Sequence, residues 1–166
     1  MSISISGAEF SLETDSTVMG LEPGQTLTMR DLLYGLLLPS GNDAAIQIAE
    51  RVGGSVAGFA RMMNARAAEL GLENSHFTNP HGLDDPALYT SAYDMAILGR
   101  ELLRRPALAE MVKAPVYQPA WDGPAVAIYL TERPWSVELP RPHYRIAVWR
   151  GSLRDGQVLR LDQREG

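Results

Sequence analysis

Cysteine is absent from all 166 residues, and lysine occurs once, as Lys113. Without a thiol the chain can form neither a disulfide nor a thiolate metal site, and its redox compartment is left open. Glu110 stands three positions before the single lysine, so these residues contain no Ser-x-x-Lys nucleophile motif, and no Lys-Thr-Gly either. No apolar run approaches the roughly 20 residues that a membrane helix needs. The opening MSISISGAEF lacks a basic n-region and an apolar h-region. It does not read as a signal peptide, and the chain as written is expected to be cytoplasmic. Positive charge is also scarce: 15 Lys+Arg against 20 Asp+Glu leave a net charge of −5. A phosphate-binding surface normally carries a basic excess, so a nucleic-acid partner is not expected.

What remains is the composition of a soluble globular protein, 45% hydrophobic and 21% charged, long enough for one domain with a core. The charge is uneven. Residues 1–124 hold 8 basic and 15 acidic side chains, whereas 125–166 hold 7 arginines and 5 acids. Residues 1–124 read as one coherent, mostly helical unit. Residues 125–166 read as a divergent, irregular tail rich in proline and arginine.

Loose alternation at Ile3, Ile5, Ala8, Phe10 and Leu12 predicts a short strand followed by a turn or helical stub. Pro23-Gly24 marks a turn. Thr28 with Asp31 forms a capping box for a helix over 29–38 whose apolar face carries Leu32, Leu33, Leu36 and Leu37 and which Pro39 stops. A second helix is expected over 43–52 and a third over 56–70, the latter capped by Ser55 and closed by Gly71. A long loop follows, with turn chemistry at Asn79-Pro80-His81-Gly82. Ser91 with Asp94 reads as another capping box, and Pro106 restarts a short helix ending near Lys113. In the tail, Tyr144–Trp149 and Gln157–Leu161 are candidate strands.

The most informative stretch is DLLYGLLLPSGNDAA, which sets Ser40, Gly41, Asn42 and Asp43 between two apolar helical runs. A hydroxyl and a carboxamide two residues apart at a helix–helix junction suit hydrogen bonding to a bound amide or acyl group. By local chemistry alone, Ser40 reads as a loop or cap residue, Asn42 as a cap, and Asp43 as a first-turn acid favoured by the helix dipole. His76 and His81, with Asp84 and Asp85 nearby, fit no standard zinc spacing. Met62, Met63 and Met95 read as core fillers. The two helices around the junction also resemble a helix-turn-helix, but only Gln47 and Arg51 would be available to contact DNA.

The runs TLTMRDLLYGLLLPSGNDAAIQIAERVGGS and FARMMNARAAELGLENSHFTNPHGLDDPALYTSAYDMAILGRELL resemble serine-type D-alanyl-D-alanine carboxypeptidases, the low-molecular-mass penicillin-binding proteins of the β-lactamase/transpeptidase-like superfamily. The likeness covers about residues 3–114. It implies a mainly α fragment of an α/β domain, a helical subdomain with one or two strands. Of the three motifs that do the chemistry in such enzymes, only the middle one is present, as Ser40-Gly41-Asn42. By this resemblance Ser40 relays a proton, Asn42 hydrogen-bonds the substrate's peptide group, and no nucleophile lies in the chain. No metal or cofactor is implied. The partners of the intact family are peptidoglycan stem peptides and β-lactams, met outside the cytoplasmic membrane. The resemblance fades after Trp121-Asp122-Gly123-Pro124, which suggests a reading frame that starts at an internal methionine and departs near residue 125. An inert helical remnant or an interaction module is the alternative reading, with a helix-turn-helix DNA-binding protein behind it.

Overall fold

The computed structural model describes residues 2–5, 12, 16–118 and 128–129. Strand β1 (Ser2–Ser4) pairs antiparallel with β2 (Thr26–Thr28), placing Ile3 opposite Leu27. Both of these residues face inward and are buried, while their neighbours face out. Helix α1 (Met29–Leu37) starts directly from β2. Its capping box is complete: the Thr28 hydroxyl accepts the Asp31 N–H at 3.2 Å, and the Asp31 carboxylate accepts the Thr28 N–H at 2.7 Å. Leu32 is fully buried and joins Ile3, Ile5, Met19, Leu27 and Ile48 in the main core.

Helix α2 (Asn42–Gly53) turns back along α1, and α3 (Val56–Glu69) follows after only Gly54 and Ser55. The Ser55 hydroxyl accepts the Gly58 N–H at 2.9 Å, as its position before the helix predicts. Gly71, just past α3, sits at φ +72, where a residue with a Cβ is disfavoured. The loop to α4 (Ala92–Leu103) is fastened twice. Asn64 on α3 donates to the Phe77 carbonyl at 2.7 Å and accepts the Phe77 N–H at 2.8 Å. The Asp94 carboxylate, 1% exposed, accepts from the Asn74 N–H at 2.9 Å and the Ser75 hydroxyl at 2.7 Å. Phe77 thereby packs with Ala67 and Leu72 in a second, smaller core. Helix α5 (Pro106–Met111) returns Met111 to the main core, and β3 (Val116–Tyr117) pairs with β4 (Ile128–Tyr129).

Several expectations are corrected here. The Ser91–Asp94 capping box is only half made: Ser91 accepts the Asp94 N–H, but the carboxylate is spent on residues 74 and 75. Met62 is no core filler, being 48% exposed. With half-buried Met63 and Met95 it lines an open groove between α3 and α4. Gln47 is buried at 3% exposure and cannot reach a DNA groove. The proposed strands Tyr144–Trp149 and Gln157–Leu161, the helical stub before residue 13 and the frame departure near 125 fall wholly or largely outside the described residues.

Tyr117 ties β3 to α1. Its ring stacks on Tyr34 with centroids 3.7 Å apart and planes 6° from parallel, and its hydroxyl donates to Asp31 at 2.7 Å. Burial first, and then the bond to Asp31, push the Tyr117 phenol up to about 12. The folded chain therefore holds this proton more tightly than the unfolded chain, whose tyrosine titrates near about 10. The resulting stability is full below about pH 10 and is lost as pH rises toward about 12. We expect Tyr117→Phe to melt less steeply than the parent between about pH 10 and about pH 11. Thermal unfolding followed by circular dichroism checks this, and equal slopes would contradict it.

Candidate active site at the α1–α2 junction

The junction is built from backbone outward. Pro39 has no N–H to continue α1, and the last bond of that helix runs from the Leu38 N–H to the Tyr34 carbonyl. The Gly41 N–H then reaches back to the Gly35 carbonyl at 2.9 Å. To make that reversal, Ser40 takes φ +63, the one positive value at a non-glycine among the described residues. An L-residue in this conformation is disfavoured by roughly 1–2 kcal/mol. Gly41 has to be glycine: a Cβ there would stand 2.8 Å from the Gly35 carbonyl oxygen and 3.0 Å from an Asp43 carboxylate oxygen. Ser40 is exposed at the apex, whereas Gly41, Asn42 and Asp43 are buried beneath it.

Asn42 is the first residue of α2 rather than its cap; Gly41 holds the cap position and makes no side-chain capping bond. The Asn42 N–H donates to the Thr17 carbonyl at 2.9 Å. Among the described residues no hydrogen bond engages the Ser40 hydroxyl or the Asn42 carboxamide. The two functional groups proposed from the sequence thus share one tight turn at the end of two packed helices.

Asp43 is the first-turn acid expected, and it does more than complement the helix dipole, being buried at 3% exposure. One carboxylate oxygen accepts the N–H groups of Met19 and Ala44, and the other those of Gly20 and Leu21, each at 2.9 Å. Three of these donors lie 22–24 residues away, so no local pattern could have revealed them. The Met19 side chain then packs over Gly35, in the space a Cβ would need.

The remaining candidates lie elsewhere and are structural. The His76 ring is 2.8 Å from the Ala87 carbonyl, beside the His76–Tyr89 bridge. His81 accepts the Leu83 N–H at 3.2 Å, and burial lowers its pKa below the usual histidine value. The Asn79 side chain accepts the Gly82 N–H at 2.6 Å, closing the turn anticipated there. Among the described residues no three His, Asp or Glu side chains converge as a metal site.

Comparison with known proteins extends the likeness beyond the turn. The family model described as D-alanyl-D-alanine carboxypeptidase matches residues 1–126. The chain is 42% identical to D-alanyl-D-alanine carboxypeptidase DacF of Bacillus subtilis over 104 residues, 63% of this chain and 27% of DacF. It is 39% identical to DacB2 of Mycobacterium tuberculosis over 105 residues, 62% of this chain and 36% of DacB2. A solved D-alanyl-D-alanine carboxypeptidase from M. tuberculosis superposes with a TM-score of 0.71 at 32% identity, covering 80% of this chain and 50% of that one. The S96A mutant of Streptomyces K15 DD-transpeptidase superposes with a TM-score of 0.70 at 27% identity, covering 78% and 54%. The chain therefore spans about a quarter to a third of these curated relatives and about half of these solved neighbours. Its helices and few strands form the mainly α part of a penicillin-binding-protein domain, and the chain belongs to the D-alanyl-D-alanine carboxypeptidase family.

Proposed function

We propose that this chain carries the Ser-x-Asn wall of an active site for acyl-serine hydrolysis of terminal D-Ala–D-Ala bonds in peptidoglycan stem peptides, a site that β-lactams would also occupy. In this reading the Ser40 hydroxyl relays a proton between the attacking group and the leaving amine. The Asn42 carboxamide, donor and acceptor at once, holds the substrate's peptide group. The observation that carries the reading is Ser40 itself. An exposed serine held at φ +63 between two helices is a strained residue kept in place by its surroundings, and such residues cluster at active sites.

Both roles presuppose an attacking hydroxyl and a lysine beside it. The 166 residues offer neither in a Ser-x-x-Lys arrangement, since Lys113 is their only lysine. We therefore propose that this polypeptide by itself neither hydrolyses the substrate nor forms a penicilloyl adduct. A fluorescent penicillin should leave no band on the purified chain after denaturing electrophoresis; a band resistant to denaturation would refute this part.

The site assignment is tested separately, by grafting residues 16–118 of this chain into DacF in place of its matching stretch. The chimera should label with penicillin. Ser40→Ala in that chimera should lower carboxypeptidase turnover by at least about 10²-fold, the scale of a lost proton transfer. A labelled chimera indifferent to both Ser40→Ala and Asn42→Ala would remove the roles assigned here.

A further inference from the structure

We infer that Asp43, a buried carboxylate with no place in the chemistry above, is the positioning residue that holds Ser40 and Asn42 in their working geometry. The inference rests on the reading of the α1–α2 junction as part of an active site. The connections form a closed chain. Both carboxylate oxygens are saturated by backbone donors, Met19 and Ala44 on one, Gly20 and Leu21 on the other. Three consecutive N–H groups of the 19–21 segment are thus gathered onto the first turn of α2. From the same segment, the Thr17 carbonyl accepts the Asn42 N–H at 2.9 Å. The Met19 nitrogen and an Asp43 oxygen lie 3.2 Å and 3.0 Å from where a Gly41 Cβ would stand. Segment 17–21 and the carboxylate therefore wrap Gly41 closely. That enclosure keeps the Gly41 N–H on the Gly35 carbonyl, and this bond is what requires Ser40 to stay left-handed.

The carboxylate's symmetry matters. Each oxygen faces two N–H donors, so replacing either by an NH₂ group opposes donor to donor twice. Asp43→Asn is nearly isosteric, yet it removes two hydrogen bonds whichever way the amide is turned. Released from the brace, segment 17–21 no longer encloses Gly41, and Ser40 falls back to a negative φ that costs it nothing.

The test compares the 166-residue chain with its Asp43→Asn variant by nuclear magnetic resonance and amide hydrogen exchange. In the parent, Ser40 should show the strong intraresidue amide-to-Hα cross-peak of a positive φ, and in Asp43→Asn that peak should weaken. Protection at the Gly41 and Asn42 amides should fall at least about tenfold more than at the α4 amides, whose clasp on residues 74 and 75 is separate. A variant that merely loses stability would lower all amides alike and keep the Ser40 signature, and that result overturns the inference. If Asp43→Asn does not fold, the unmodified chain decides. Its Met19, Gly20, Leu21 and Gly41 amides should open as one unit with a common protection factor, and a segment 19–21 that exchanges orders of magnitude faster than Gly41 refutes the brace. No arm measures turnover or penicillin labelling, so this test and that of the carboxypeptidase reading fail independently.

Discussion

Given a peptide ending in D-Ala–D-Ala, the 166-residue chain is expected to release D-alanine at about 10⁴- to 10⁶-fold below the turnover of a relative such as DacF. That range is the loss measured when serine hydrolases are stripped of members of the catalytic group. It corresponds to about 5–8 kcal/mol of transition-state stabilisation. The reason is the division of labour proposed for Ser40 and Asn42. A hydroxyl that passes protons and a carboxamide that holds a peptide group lower a barrier only once a nucleophile has begun to attack. Ser40 stands in no Ser-x-x-Lys arrangement, because Lys113 is the only lysine in the 166 residues and Glu110 stands three positions before it. A coupled D-alanine assay over hours reads this directly. Release within a hundredfold of DacF, abolished by Ser40→Ala, would mean that Ser40 itself attacks and that the relay role is wrong.

The features legible in the sequence are those whose partners lie within three or four residues. The Thr28–Asp31 box, the Ser55 cap, Gly71 past the end of α3 and the Asn79–Gly82 turn all stand as read. Local chemistry failed where a polar side chain is claimed by a distant segment. Asp43 bonds 22–24 residues back, Asp94 bonds 19 and 20 residues back, and Asn64 bonds 13 residues ahead. Asp43 reads as a first-turn acid and Asp94 as half of a capping box, because a carboxylate looks the same whether it faces water or backbone, and Asn64 carries no local signal of its partner. Strand β2 went unread for a related reason: its three residues lie between a turn and a capping box, and only pairing with β1 makes them a strand. The junction motif was recognisable by residue type, but its geometry was not. In Pro-Ser-Gly the positive φ would be assigned to glycine; here the serine takes it, because Gly41 is needed for its missing Cβ.

Gly58→Ala should be the most destabilising of the glycine substitutions that leave φ negative. Glycine to alanine inside a helix ordinarily stabilises by about 1 kcal/mol. At Gly58, the third residue of α3, the sign reverses. A Cβ there would overlap the Gly53 carbonyl oxygen and stand 3.1 Å from the Ser55 hydroxyl that caps the helix. The obstacle cannot swing aside as a side-chain tip would, for Gly53 ends α2 and a Cβ on it would in turn meet the Phe59 Cα at 2.6 Å. The two glycines let α2 and α3 close across a connection of two residues. Overpacking against fixed backbone typically costs about 1–3 kcal/mol and sometimes more. Because the obstacle is overlapping backbone, the upper end of that range applies, and set against the gain in helix propensity the net loss should be about 2 kcal/mol. Gly71→Ala offers the internal comparison, since a Cβ there meets open space and only φ +72 opposes it, roughly 1–2 kcal/mol that the reduced freedom of the unfolded chain offsets to a net of about 1 kcal/mol. Urea melts should therefore rank the midpoints parent, Gly71→Ala, Gly58→Ala, with unchanged slopes. A Gly58→Ala chain as stable as the parent would mean that α2 and α3 do not approach this closely in solution, and the packing that anchors the C-terminal end of α2, the helix that begins at Asn42, would have to be redrawn.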